Sequence, residues 1–197
     1  MKTYRAELQA VAAEARQLPP PGLPEVAVVG RSNCGKSSLL NRLTGVRRLA
    51  RVSGRPGRTR QIIFFNVEER LLLVDLPGYG YARAPRAERE SWQGLVNAYL
   101  GGRRPIGLVL ALFDIRREPD ERDAELLALL RRYQLDWRAV WTKADKLTAR
   151  RARRRAGELD RLLDTAVPGV ISSARTGQGR PELLELIEQV AGSGRGG

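Results

Sequence analysis

A hydrophobic strand that runs directly into a glycine-rich loop and then a helix leaves a chain few folds to adopt. This sequence has that arrangement between Glu25 and Leu43. EVAVVG (Glu25 to Gly30) reads as a buried strand, and KSSLLNRL (Lys36 to Leu43) reads as the helix after it. Between them, Gly30, four further residues, Gly35, Lys36 and Ser37 have the spacing of a phosphate-binding loop. Glycines let successive backbone N–H groups turn inward on an anion, and the helix adds its positive N-terminal dipole. Lys36 can then reach β- and γ-phosphates, and the Ser37 hydroxyl suits Mg²⁺. Arg31, Ser32, Asn33, Cys34 and Ser38 complete the expected contact set. A glycine turn that merely caps a helix is the alternative the other motifs must exclude.

The rest of the chain alternates strand and helix. Residues 2–17 have helical spacing, with Leu8, Val11, Ala12 and Ala15 on one side, and PPPG (Pro19 to Gly22) ends that helix. QIIFFNV (Gln61 to Val67) and LLLVD (Leu71 to Asp75) stand three residues apart, which forces an antiparallel hairpin. IGLVLALFD (Ile106 to Asp114), WRAVWT (Trp137 to Thr142) and PGVISS (Pro168 to Ser173) are each followed by a segment of helical character, as right-handed crossovers require. The expected architecture is a three-layer α/β fold, with a mostly parallel six-stranded sheet and one antiparallel edge strand. Ligands on such sheets sit at the carboxyl ends of strands. The expected organisation is an N-terminal helix and Pro-rich linker over 1–22, a nucleotide-binding domain over 23–191 and a disordered tail over 192–197.

Composition limits the setting. At 197 residues and 42% hydrophobic, the chain suits one globular domain. Its longest strongly apolar stretch, Ile106 to Phe113, falls far short of the roughly 20 residues a membrane helix needs. The charged N-terminus lacks a secretory signal, and the single cysteine, Cys34, agrees with a reducing compartment, so a cytoplasmic protein without a membrane partner is expected. The net charge is +13, and only Lys2, Lys36, Lys143 and Lys146 of the basic residues are lysines. An arginine-dominated positive field favours a polyanionic partner, unless it simply solvates the surface.

Three more motifs turn the phosphate loop into a nucleotide site. DLPG (Asp75 to Gly78) ends a hydrophobic strand, where Asp75 can serve Mg²⁺ and the Gly78 amide can meet a γ-phosphate. In the polar segment Arg47 to Gln61, with Gly57 and Arg58 beside it, Thr59 is the residue chosen to complete Mg²⁺ coordination while the γ-phosphate is present. TKAD (Thr142 to Asp145), followed by Lys146, places a carboxylate that accepts bonds from the N1–H and 2-amino groups of guanine. Adenine lacks that donor pair, so the site would reject it. Lys143 can lay its stem along the base. Ser172, Ser173 and Ala174 follow the next strand, with the Ala174 N–H suited to the guanine O6.

Together, GRSNCGKSSLLN, RPGRTRQIIFFN, DLPGYGYA, TKADK and SSARTGQG resemble the EngB (YihA/YsxC) group of bacterial GTPases, over about Glu25 to Ile187. The resemblance implies the P-loop GTPase (Ras-like) fold and a cytoplasmic GTPase, monomeric, in assembly of the large ribosomal subunit. It also implies contact with ribosomal RNA or a precursor particle, and a link to cell cycle and septation.

The catalytic set expected from the sequence is Lys36, Thr59, Gly78 and Asn33. Many GTPases orient the attacking water with a glutamine after the DxxG glycine, and here that position is Tyr79. Slow intrinsic turnover is therefore expected. Asn33 is a candidate K⁺ ligand, because similar GTPases use an asparagine there to bring a cation that neutralises developing charge. Arg47, Arg48, Arg51, Arg55, Arg58 and Arg60, together with Arg151 to Arg155, are candidate RNA contacts. The rival readings are an ATP-dependent phosphotransferase and an RNA-binding scaffold whose nucleotide is structural.

Overall fold

The computed structural model describes residues 4–46, 49, 61–79 and 86–193, and over 86–92 the backbone alone. Its strands are β1 (Ala6–Ala12), β2 (Glu25–Gly30), β3 (Ile62–Val67), β4 (Leu71–Asp75), β5 (Ile106–Asp114), β6 (Trp137–Thr142) and β7 (Val170–Ile171). Its α-helices are α1 (Lys36–Thr44), α2 (Arg86–Leu100), α3 (Glu121–Arg132), α4 (Ala149–Leu162) and α5 (Arg180–Ser193). The sheet order is β1-β3-β4-β2-β5-β6-β7. Among the described strands, only β3 runs against its neighbours, pairing antiparallel with β1 and β4. The pairs among β4, β2, β5, β6 and β7 are all parallel.

Two apolar layers flank the sheet. Alternate residues of β2 divide between them, as a strand buried on both faces requires. Ala27 and Val29 pack with residues of α2, α3 and α4. Val26 and Val28 pack with residues of α1 and α5. The three-layer α/β expectation therefore holds.

The N-terminus differs from the expectation. Ala6–Ala12 is a strand, not a helix, and it makes the sheet seven-stranded. Its register runs from Ala6 opposite Val67 to Ala12 opposite Ile62, with a bulge between Leu8 and Ala10. Helix preference is worth only tenths of a kcal/mol per residue, so the backbone bonds offered by the outer edge of β3 outweigh it. Ala6 and Ala12 are buried, while Leu8 and Val11 of the expected helical stripe are 43% and 40% exposed. Consequently the antiparallel strand is internal, and β1 forms the edge. At the other terminus, Gly192 and Ser193 close α5 instead of opening a disordered tail; residues 194–197 lie outside the described set.

The edge of the sheet that carries the N-terminus of β2 is held by a buried ion pair. Glu25, fully buried, accepts from Tyr99 Oη at 2.8 Å and from Arg104 Nε at 3.1 Å. The Arg104 guanidinium also lies over the Phe64 and Tyr99 rings and donates to Pro19 O at 2.7 Å. This fastens the proline-rich segment and leaves the opposite edge of the sheet for chemistry.

Candidate functional site

The loop after β2 turns because two of its residues take left-handed backbone: Asn33 at φ 65° and Gly35 at φ 102°. Gly35 then serves as N-cap of α1 without any side-chain cap, so the first amides of the helix keep their donors free of a capping oxygen. Ser37 and Ser38 are exposed on that first turn. Lys36 forms an ion pair with Asp75 at the end of β4. Burial raises the Asp75 carboxyl, and Lys36 pulls it the other way. Thus the P-loop lysine and the DxxG carboxylate, 39 positions apart in sequence, meet at one point.

Gly78 is pressed against the same loop. A Cβ on it would come within 3.2 Å of Ser32 N and 3.3 Å of Gly30 O, closer than side-chain carbons normally sit. The neighbouring Tyr79 bridges Arg31, its carbonyl accepting from Ser32 N at 3.1 Å. Its phenol turns into the core and donates to Asp123 Oδ1 at 2.7 Å. Burial, then the Asp123 charge, pushes the Tyr79 hydroxyl far above its usual range. The Tyr79 phenol is thus committed to Asp123.

The TKAD and SSA segments are stitched together. Ala144 N donates to Ser172 O at 3.1 Å, and Ser173 Oγ donates to Asp145 Oδ1 at 2.8 Å. Thr142 Oγ1 lies 2.7 Å from Cys34 O and 3.0 Å from Phe113 O, tying β6 to the P-loop. Lys143, at φ 60°, donates through Nζ to Asn33 O at 2.6 Å and pairs with Asp114 Oδ2 at 3.0 Å. Its Cε stands over Gly35. Lys146 is exposed, with its Nζ 4.0 Å from Asp145 Oδ2.

The structure brings Gly30, Ser32, Asn33, Gly35, Lys36, Ser37, Ser38, Asp75 and Gly78 together at the carboxyl edge. Thr142, Lys143, Asp145, Ser172, Ser173 and Ala174 flank them on the β6–β7 side. The side chains of Arg31 and Cys34 are engaged elsewhere: the Arg31 guanidinium donates to Asp120 Oδ2 at 2.6 Å, and the Cys34 thiol is buried, which pushes it up to about 11. Gly57, Arg58 and Thr59 lie outside the described residues, as do Arg47, Arg48, Arg51, Arg55 and Arg60. Of the second arginine cluster, Arg151, Arg153 and Arg154 are exposed on α4. Arg155 instead clamps the β5–α3 loop through Glu118 at 2.6 Å and Arg117 O at 3.1 Å.

Three acids escape motif reading. Asp114 holds Lys143, with Arg116 Nη2 at 2.7 Å on the same oxygen. Burial alone would raise its carboxyl, but the bonds from Arg116 and Lys143 outweigh it and hold it well below the usual range. Its place at the end of β5, in register with Thr142, is the signal that could have flagged it. Asp120 and Asp123, at the N-cap and N3 positions of α3, carry a helix-start signal but none for their contacts with Arg31 and Tyr79.

Comparison with known proteins bears on this geometry. Residues 25–143 match the family described as 50S ribosome-binding GTPase. A protein of Syntrophus aciditrophicus named Probable GTP-binding protein EngB is 45% identical over 177 residues, covering 90% of each chain. The chain belongs to the EngB family. A second EngB relative, from Geobacter metallireducens, is 41% identical over 196 residues, covering 99% of this chain and 96% of its own. A crystal structure of a probable GTP-binding protein engB superposes with a TM-score of 0.69 at 24% identity, covering 86% of this chain and 99% of that one. Era in complex with MgGDPNP and nucleotides 1506–1542 of 16S ribosomal RNA superposes at 0.64 and 24% identity, covering 87% and 57%. At those identities the two structures establish the fold, which the EngB chain shares.

Proposed function

We propose that this EngB chain binds GTP and GDP together with Mg²⁺, hydrolyses GTP slowly, and uses the two nucleotide states as a switch in assembly of the large ribosomal subunit. The observation that carries the reading is the meeting of two sets of groups at one sheet edge. Lys36, the α1 N-terminus and Gly78 form an anion cradle, and Asp145, fixed by Ser173, is an acceptor suited to guanine. A hydroxyl and a carboxylate are the hard oxygen donors Mg²⁺ prefers. Ser37 and Asp75 would hold it, with Thr59 as the third candidate, and bound there it neutralises phosphate charge. Asn33, exposed beside them, is the candidate K⁺ ligand.

The match to a family described as ribosome-binding supports a ribosomal partner, and the net charge of +13 suits ribosomal RNA. A cytoplasmic monomer fits the same reading. The deciding experiment has two parts. Calorimetry should find GDP bound far more tightly than ADP, and single-turnover hydrolysis should accelerate with large ribosomal subunits and with K⁺ over Na⁺. Equal affinity for GDP and ADP would overturn the guanine reading. One observation favours a second reading, an RNA-binding scaffold with structural nucleotide: the Tyr79 phenol is buried on Asp123. Hydrolysis that no ribosomal particle accelerates would select it.

A further inference from the structure

Beyond Asp75 the chain stays beside the P-loop. Leu76 N donates to Val28 O at 3.0 Å, Tyr79 N to Gly30 O at 3.3 Å, and Ser32 N back to Tyr79 O at 3.1 Å. Gly78 sits inside this backbone ladder. Its outer end is fixed by a side chain, because the Tyr79 phenol, 6% exposed, crosses to α3 and donates to Asp123 Oδ1 at 2.7 Å. Asp123 is 2% exposed, and its other oxygen accepts from Asp120 N at 2.9 Å. Arg31 closes the circuit, with its Nη1 2.6 Å from Asp120 Oδ2 and 3.7 Å from Asp123 Oδ2. The P-loop, the DxxG segment and the N-terminus of α3 are thus joined by one polar cluster.

A carboxylate shut away from water persists only where its oxygens are hydrogen-bonded, so each of these bonds is costly to break. The Asp123 carboxylate therefore fixes the phenol, and the phenol fixes the residue that follows Gly78. We propose that Asp123 is a positioning residue for the γ-phosphate end of the site: acting through Tyr79, it holds the Gly78 amide against the P-loop where that amide meets a third phosphate. The proposal rests on the nucleotide reading above. GDP has no group that reaches Gly78, so the lock bears on GTP alone. A bond that only supported the fold would affect both nucleotides alike.

The test compares the full chain with Tyr79→Phe and Asp123→Asn, titrating GDP and a non-hydrolysable GTP analogue in Mg²⁺ by calorimetry, with thermal unfolding alongside. Losing one hydrogen bond to a charged group should weaken the GTP analogue about tenfold in each variant, leave GDP within about threefold, and make the double variant no worse than either single one. An equal fall for both nucleotides, an unchanged analogue affinity, or a tighter one overturns the proposal. Should Asp123→Asn fail to fold, Tyr79→Phe, which removes one oxygen and little volume, decides alone. If the unaltered chain binds neither nucleotide, the underlying reading falls and this proposal with it.

Discussion

Replacing Asp145 by alanine should remove most of the preference for guanine, and the surroundings of its carboxylate set the size of the loss. The side chain is 10% exposed, and Oδ1 accepts from Ser173 Oγ at 2.8 Å. Oδ2 stands 3.9 Å from Arg175 Nη1 and 4.0 Å from Lys146 Nζ, too far for hydrogen bonds to either. A carboxylate has about four lone-pair sites, so acceptor capacity remains for the N1–H and 2-amino group of guanine. Each such charge-assisted bond is worth about 1.5–3 kcal/mol, or about 3–6 kcal/mol for the pair. At about 1.4 kcal/mol per decade, Asp145→Ala should weaken GDP roughly a hundredfold to ten-thousandfold. ADP, which makes neither bond, should change little. Ser173→Ala frees a carboxylate oxygen without deleting it and should cost only about fivefold. Calorimetry of both variants against GDP and ADP is the assay. A loss of GDP affinity below about tenfold, or an equal loss for ADP, would refute the reasoning, because the base would then lie elsewhere.

Arg104→Met should strand the Glu25 charge in the core and cost about 3–5 kcal/mol, which calorimetric melting should record as a fall of roughly 6–20 °C. Because that pair lies at the far end of β2 from the P-loop, GDP affinity should stay the same. The Cys34 thiol, pushed by burial from 9.0 to about 11, keeps its proton in the folded chain after the unfolded chain has lost it. Its contribution is therefore full below pH 9 and lost as pH rises toward 11, about 2.7 kcal/mol in all, and urea titrations across that range should show a shallower decline in Cys34→Ala. Drawing Lys36 onto a phosphate would leave Asp75 a lone buried charge unless a cation takes its place, so chelating divalent cations should weaken GDP at least about tenfold, and Asp75→Asn should blunt that dependence. Cation-independent binding in the unaltered chain would contradict this.

Most of the sheet was legible because its strands are buried on both faces and bounded by sharp chemistry. EVAVVG, LLLVD, IGLVLALFD and WRAVWT occupy the bounds their sequences suggest. The N-terminal strand was not, since AELQAVA is rich in helix formers and only the distant edge of β3 makes it extended. The candidate site was legible in its residue types, because glycine, lysine, serine and aspartate at fixed spacing suit phosphate and guanine chemistry. Its internal pairing was not: nothing local to Asp114, Asp120 or Asp123 says that they will meet Lys143, Arg31 and Tyr79, which arrive from other strands and loops.

Those pairings also explain how a chain of net charge +13 can have a selective anion site. At the carboxyl edge, among the described residues, Lys36 is matched by Asp75, Lys143 by Asp114 and Arg31 by Asp120, so each of these three cations has a fixed partner. Further positive charge stands exposed on Arg150, Arg151 and Arg153 of α4, whose first turn carries no acid. Exposed arginines against the positive end of a helix dipole project a long-range field that salt screens. Paired charges at the loop act only at contact, and an incoming phosphate must offer better bonds than the carboxylate it displaces. On the proposed reading, the outer field would attract polyanions of every kind, and the exchange of partners at the sheet edge would discriminate among them. Raising salt should then weaken attraction to nucleic acid much more steeply than it weakens a nucleotide already seated against Lys36.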